Sequence, residues 1–156
     1  MKIAEAMTKE PLSVLADGSI REAAAGMRDA GIGSLPVVDR DKQLVGVITD
    51  RDIAVRAAGE GRGPETLVRD VMTESLVVVD ESLDLKDALS LMSAHQIRRL
   101  PVISAGRLVG IVSLADAVAV AKPRQLAETL RIVSEPASSQ AEKRTNRRTW
   151  ARFRLA

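Results

Sequence analysis

The chain has 156 residues, 46% hydrophobic and 28% charged, a balance that can bury a core and suits one compact unit or two small intimate ones. It carries no cysteine and a single histidine, His95, which excludes disulfide frameworks, thiol nucleophiles, cysteine-based zinc sites and a histidine metal cluster. The formal net charge of +2 hides an asymmetry: residues 141–156 carry six basic side chains against Glu142, which leaves the preceding body acidic.

No apolar run reaches the ~18 residues needed to span a bilayer. The opening Met1-Lys2-Ile3-Ala4-Glu5 lacks the apolar centre of a signal peptide, so a soluble, cytoplasmic protein is expected. The only aromatic residues, Trp150 and Phe153, lie in the basic segment, so the core of residues 1–122 is expected to be aliphatic and methionine-filled.

The chain repeats itself. At an offset of 65, Met7-Thr8 falls on Met72-Thr73, Val14 on Val79, Ala23 on Ala88, Met27 on Met92, Ile32 on Ile97 and Leu35-Pro36-Val37 on Leu100-Pro101-Val102. One residue is lost in a turn. At an offset of 64, Leu44-Val45-Gly46 then meets Leu108-Val109-Gly110, Thr49 meets Ser113 and Asp52 meets Asp116.

Each copy predicts the same elements in the same order. A short strand comes first, Leu12–Leu15 or Leu76–Val79. Ser19-Ile20-Arg21-Glu22 is a capping box, and the helix behind it runs to about Ala30, burying Ile20, Ala23, Ala24 and Met27. In the second copy Asp84 and Asp87 take the cap positions ahead of Leu85, Ala88, Leu89 and Met92. Leu35–Val38 and Leu44–Ile48 form a hairpin about Asp39–Lys42, and the second copy turns at Ser104–Arg107. A second helix follows, from Thr49 to about Ala58 and from Ser113 to about Ala121.

The unit is therefore β-α-β-β-α, and the fold class α/β. A lone copy of ~60 residues leaves one sheet face uncovered and would be marginal, so the two repeats are expected to pack sheet to sheet. The chain divides into repeat one (1–58), a polar connector (59–66), repeat two (67–122), a short helix (123–134) with Leu126, Leu130 and Val133 on one face, and a linker with the basic tail (135–156).

The strings Gly46-Val47-Ile48-Thr49-Asp50-Arg51-Asp52 and Gly110-Ile111-Val112-Ser113-Leu114-Ala115-Asp116 carry the most chemistry. Each places a hydroxyl at a strand-to-helix junction and a carboxylate three residues later. That spacing makes a capping box. It also puts free helix amides beside a hydroxyl, where an anion can bind, and a carboxylate that can accept the hydroxyls of a ribose diol.

With Leu-Pro-Val before the hairpin and Gly-h-h-[Thr/Ser]-x-x-Asp after it, twice, residues 1 to about 122 resemble a tandem pair of CBS domains, the cystathionine β-synthase-type module. The string Thr49–Arg56 followed by a Gly-rich connector is similar to small stand-alone bacterial pairs of the stress- or hypoxia-response kind. The resemblance implies two clefts about a pseudo-twofold axis that hold adenosine compounds such as AMP, ADP, ATP or S-adenosylmethionine, and dimerisation of two pairs into a flat disc. No cofactor is required.

Carried over by position, one cleft combines Ser113 and Asp116 with the strand near Leu12 and with Ile32-Gly33-Ser34. The other combines Thr49 and Asp52 with the strand near Val77 and with Ile97-Arg98-Arg99. In the second cleft Arg51, Arg98 and Arg99 are placed to face phosphates, or else to pair with surface carboxylates such as Asp50. The first has Gly33 and Ser34 where the second has arginines, which suits a less charged adenosine compound or an empty cleft.

His95 reads as a solvated helix end and the methionines as core fillers. No pair of carboxylates comes with the histidine, metal ligand or nucleophile of a catalytic set, so no enzyme is expected. In the tail, Arg144, Arg148 and Arg152 fall at i, i+4, i+8 near Trp150 and Phe153. That is either a solvated helix end or an arm for nucleic acid, an acidic protein partner or an anionic membrane surface. The leading function is a non-catalytic sensor of adenine nucleotides that passes their level to a protein partner. The alternative is a ligand-free scaffold acting through its dimeric disc and basic tail.

Overall fold

In the computed structural model, which describes residues 1–118 and 123–134, the hairpin of each repeat is the frame on which the rest assembles. The buried runs Ser34–Val38 (β3) and Leu44–Thr49 (β4) pair antiparallel, with Leu35 opposite Ile48 and Val37 opposite Gly46. In repeat two, Arg99–Ser104 (β6) and Arg107–Ser113 (β7) set Leu100 opposite Val112 and Val102 opposite Gly110. Register shifts fall at Val37/Val38 and Val102/Ile103, the same place in both copies.

A parallel strand flanks each hairpin, but it is shorter than the sequence suggests. Val14–Leu15 (β2) pairs with β3 and Val79–Asp80 (β5) with β6, two residues each. Leu12 and Leu76 lie ahead of the pairing, because only Val37–Val38 and Val102–Ile103 offer partners.

The first helix of each repeat forms as its pattern predicts, over Ile20–Ala30 (α2) and Leu85–His95 (α4). Ser19 closes its box with Glu22 at 3.2 and 2.8 Å, and Gly31, at φ 65°, ends α2 in the left-handed conformation that glycine adopts cheaply. Ala24 is exposed rather than buried, being off the stripe of Ile20, Ala23 and Met27. Asp84 occupies the N-cap of α4 but caps nothing with its side chain; it pairs with Lys2 at 3.3 Å instead.

The second helix of repeat one is not a continuous α-helix. Asp50–Asp52 (α3) makes one turn, Ile53–Ala57 widens into a π-helix, and Ala58–Glu60 closes as a 3-10 turn. In repeat two, Leu114–Val118 (α5) follows β7, and Pro123–Ser134 (α6) packs on α4 with Val133 in the second core. The expected end of that second helix near Ala121, the linker and the basic tail lie outside the described residues.

The repeats trade their leading segments. A short helix Ile3–Ala6 (α1) and the strand Thr8–Lys9 (β1) precede β2 in the chain, yet Ile3 is fully buried in the core of repeat two and β1 adds to β7, with Thr8 opposite Ile111. Reciprocally, Val68 and Val71 are buried in the core of repeat one, and Thr73 pairs with Val47 on β4. The bonds match one for one. Leu85 N–H donates to Met1 O at 3.1 Å and Ile20 N–H to Thr66 O at 2.9 Å, so each leading segment satisfies the first helix amide of the other repeat.

These exchanges relate the copies by a pseudo-twofold operation, and the repeats pack through their sheets. Gln43 bridges Arg107, its own counterpart at offset 64, which sets the axis between the two hairpin turns. Strand order is β2-β3-β4 in one sheet and β1-β7-β6-β5 in the other.

Candidate functional site

The ends of β4 and β7 deliver the two hydroxyl–carboxylate motifs to equivalent places. Thr49 leaves β4 extended, at φ −117° and ψ 161°, and the chain turns into α3 at Asp50. Asp52 Oδ2 accepts from Thr49 N–H at 3.0 Å and from the Thr49 hydroxyl at 2.8 Å, while Asp52 N–H donates to Thr49 Oγ1 at 3.0 Å. Ser113 and Asp116 repeat this at 2.8, 2.8 and 3.2 Å.

The capping spacing is therefore realised twice, with one carboxylate oxygen of each aspartate holding its own box. A carboxylate offers about four acceptor positions, so Oδ1 is what remains for a ligand. At Asp52 that oxygen faces Arg56 Nη1 at 3.5 Å; at Asp116 no ion pair engages it among the described residues.

Arg56 enters the sequence only as the end of the Thr49–Arg56 string, and its i+4 spacing from Asp52 is the signal that finds it. The same nitrogen lies 3.0 Å from Val71 O, 3.1 Å from Met72 O and 3.2 Å from Thr73 Oγ1, all on the segment that repeat two lends to repeat one.

The loops before β3 and β6 sit against these helix starts within their own repeats. Ser34 is opposite Thr49, and Asp50 N–H donates to Gly33 O at 3.0 Å; Arg99 is opposite Ser113, and Leu114 N–H donates to Arg98 O at 3.1 Å. A Cβ at Gly33 would stand 2.9 Å from Asp50 Oδ2, so the exposed Asp50 carboxylate lies directly over this glycine. Its counterpart Arg98 meets Leu114 in place of Asp50, and Leu114 is buried in the second core.

Links across the repeats run through the exchanged segments. Thr73, four residues before Val77, is bonded to Val47, two before Thr49; Thr8, four before Leu12, is opposite Ile111, two before Ser113. Ile32, Val77 and Ile97 are half-buried and Leu12 is exposed, its side chain close to Gly26. Arg51, Arg98 and Arg99 are exposed, and none of them is in an ion pair among the described residues. Asp50 takes the Arg51 backbone N–H at 2.7 Å rather than its guanidinium.

A wide cleft opens elsewhere. It measures about 1100 Å³ at the hairpin-turn end, is lined among others by Lys9, Glu10, Val14, Lys42, Leu108 and Val109, and none of the ligand-binding candidates lines it. A second, of about 680 Å³, takes in Leu12 beside Gly26 and Leu35. Among the described residues no group of three or more His, Asp or Glu side chains is placed to hold a metal, and no helix is long and apolar enough to cross a membrane.

Comparison with known proteins gives this geometry its context. The family described as the CBS domain matches residues 3–59 and again 68–122. Hypoxic response protein 1 of Mycobacterium tuberculosis is 40% identical over 99 residues, 63% of this chain and 69% of that relative. The crystal structure of CBSX2 in complex with AMP superposes with a TM-score of 0.68 at 30% identity, covering 77% of this chain and 95% of that one. The CBS domain pair of protein MJ0100, in complex with 5-methylthioadenosine and S-adenosyl-L-methionine, gives 0.67 at 29% identity, over 77% and 94%.

Proposed function

Because the chain belongs to the CBS-domain family, we propose that it is a non-catalytic regulatory module whose two helix-start sites bind adenosine compounds, with AMP, ADP, ATP and S-adenosylmethionine as the candidate ligands. One observation carries the reading: a hydroxyl and a carboxylate recur in one geometry at the two helix starts, Thr49–Asp52 and Ser113–Asp116. The open Asp116 oxygen suits a ribose hydroxyl. The complexes of CBSX2 with AMP and of MJ0100 with adenosine compounds support the ligand class.

The guanidiniums of Arg51, Arg98 and Arg99, in no ion pair among the described residues, supply charge for phosphates, each charge-assisted bond being worth about 1.5–3 kcal/mol. In this reading the protein is a cytoplasmic homodimer. Support for a second copy comes from Val55, 56% exposed on the π-helical turn beside exposed Ala54 and Ala58, an apolar strip that another chain would cover.

Thermal unfolding tests the ligand class. A compound at ~100 times its Kd adds about 2.7 kcal/mol, roughly 5–11 °C for a chain of this size. If millimolar AMP, ADP, ATP and S-adenosylmethionine all leave Tm unchanged, the ligand-free scaffold takes its place. The capping bonds that already hold Oδ2 of both aspartates favour that second reading.

A further inference from the structure

Arg56 separates two sites that the repeat would otherwise make equal. Its counterpart at offset 64 is Val120, a residue type with no charge to offer Asp116. Asp52 is only 13% exposed, its Oδ2 filled by Thr49 and its Oδ1 turned to Arg56, whereas Asp116 Oδ1 carries no such partner among the described residues. A ribose diol brings two hydroxyls. At Asp116 the open oxygen keeps both of its acceptor positions, and at Asp52 the guanidinium competes for them.

Arg56 is also anchored where a ligand cannot reach it without consequence. The nitrogen that faces Asp52 holds the backbone carbonyls of Val71 and Met72 and the Thr73 hydroxyl. Those residues lead into and form the pairing of Thr73 with Val47 that docks repeat two's segment on repeat one.

Resting on the adenosine-binding reading, we infer that Arg56 is a positioning residue that ranks the two clefts. The Asp116 site fills first. A second ligand takes Asp52 only by drawing its Oδ1 away from Arg56, and that loosens the arm at Val71–Thr73. The second occupancy is therefore the one felt at the joint between repeats.

The test is calorimetric titration of the full chain with AMP, for wild type, Asp52→Asn, Asp116→Asn, Arg56→Met and Arg56→Lys. Asp116→Asn is expected to abolish the tighter event and Asp52→Asn only the weaker. Arg56→Met should tighten the weaker event about fivefold, the upper range for releasing a part-exposed ion pair, and Arg56→Lys should restore the wild-type ranking. A merely structural arginine would move stability without reordering the sites.

Amide exchange on the unmutated protein gives an independent readout: the Val47 and Thr73 amides should open faster at saturating AMP but not at one equivalent. Equal losses in the two aspartate variants, an unchanged or weakened second site in Arg56→Met, or exchange that never rises would each overturn the ranking while leaving adenosine binding intact. No binding by AMP in any variant overturns the adenosine reading and the ranking with it.

Discussion

The sulfur of Met72 lies 2.6 Å from where a Cβ on Gly46 would stand. The Met7 sulfur crowds the same place at Gly110, and in both cases the following threonine carbonyl is at 3.0–3.1 Å. The repeated Met-Thr and the repeated Gly are thus two halves of one contact, made across the repeats.

Gly46→Ala and Gly110→Ala should each destabilise the chain by about 1–3 kcal/mol, the usual cost of overpacking a filled site. Chemical denaturation measures this. A second change, Met72→Ala with Gly46→Ala, should cost less than the two single changes together, because the methyl then enters the space the thioether leaves. Strict additivity would show that the contact is not the cause.

Ile3→Ala should cost about 2–5 kcal/mol, as for other buried isoleucines. Exchange protection should fall first in β6 and β7, because Ile3 is buried with Leu89, Leu100 and Val112. Protection lost first in β3 and β4 would contradict the exchange of leading segments.

Thr49→Ala and Ser113→Ala should each lose about 1 kcal/mol through the missing cap. Thermal unfolding without ligand checks that. The same substitutions should weaken AMP binding, and an unweakened AMP affinity would confine these hydroxyls to capping.

Arg40 donates to Asp17 Oδ2 at 2.6 and 3.0 Å, and this hydrogen bonding holds the Asp17 carboxyl below its ordinary value of 3.8. A carboxyl lowered in the folded state contributes stability above its unfolded pKa and loses it as pH falls through the folded one. The stability gap between wild type and Arg40→Ala should therefore be present at neutral pH and close under strong acid. Carboxyl NMR titration should show Asp17 returning toward its ordinary value in the variant.

Val55→Glu should shift the protein toward monomer in sedimentation if the strip on the π-helical turn is the covered face. An unchanged mass would move that interface elsewhere.

Much of this fold can be read from the residues because its signals are local. The Ser19–Glu22 box, the two Leu-Pro-Val hairpins and the hydroxyl–carboxylate pairs all lie within a few positions of one another. The exchange of leading segments has no such signature. β1 is two exposed residues with no alternation, and its partner Ile111 is about a hundred positions away. The π-helical turn escapes for a related reason: Arg56 reaches carbonyls on the Val71–Thr73 arm, a tertiary contact that periodicity does not encode. Asp84 has a capping residue's type and place, yet the lysine lent by the other end of the chain claims its carboxylate.

The traded arms mean that a cut in the glycine-rich stretch 59–63 does not set two modules free. Each fragment still carries a piece of its neighbour's interior, Ile3 in one direction and Val68 with Val71 in the other. After limited proteolysis the halves should travel together through a sizing column, held by interlock rather than by the peptide bond.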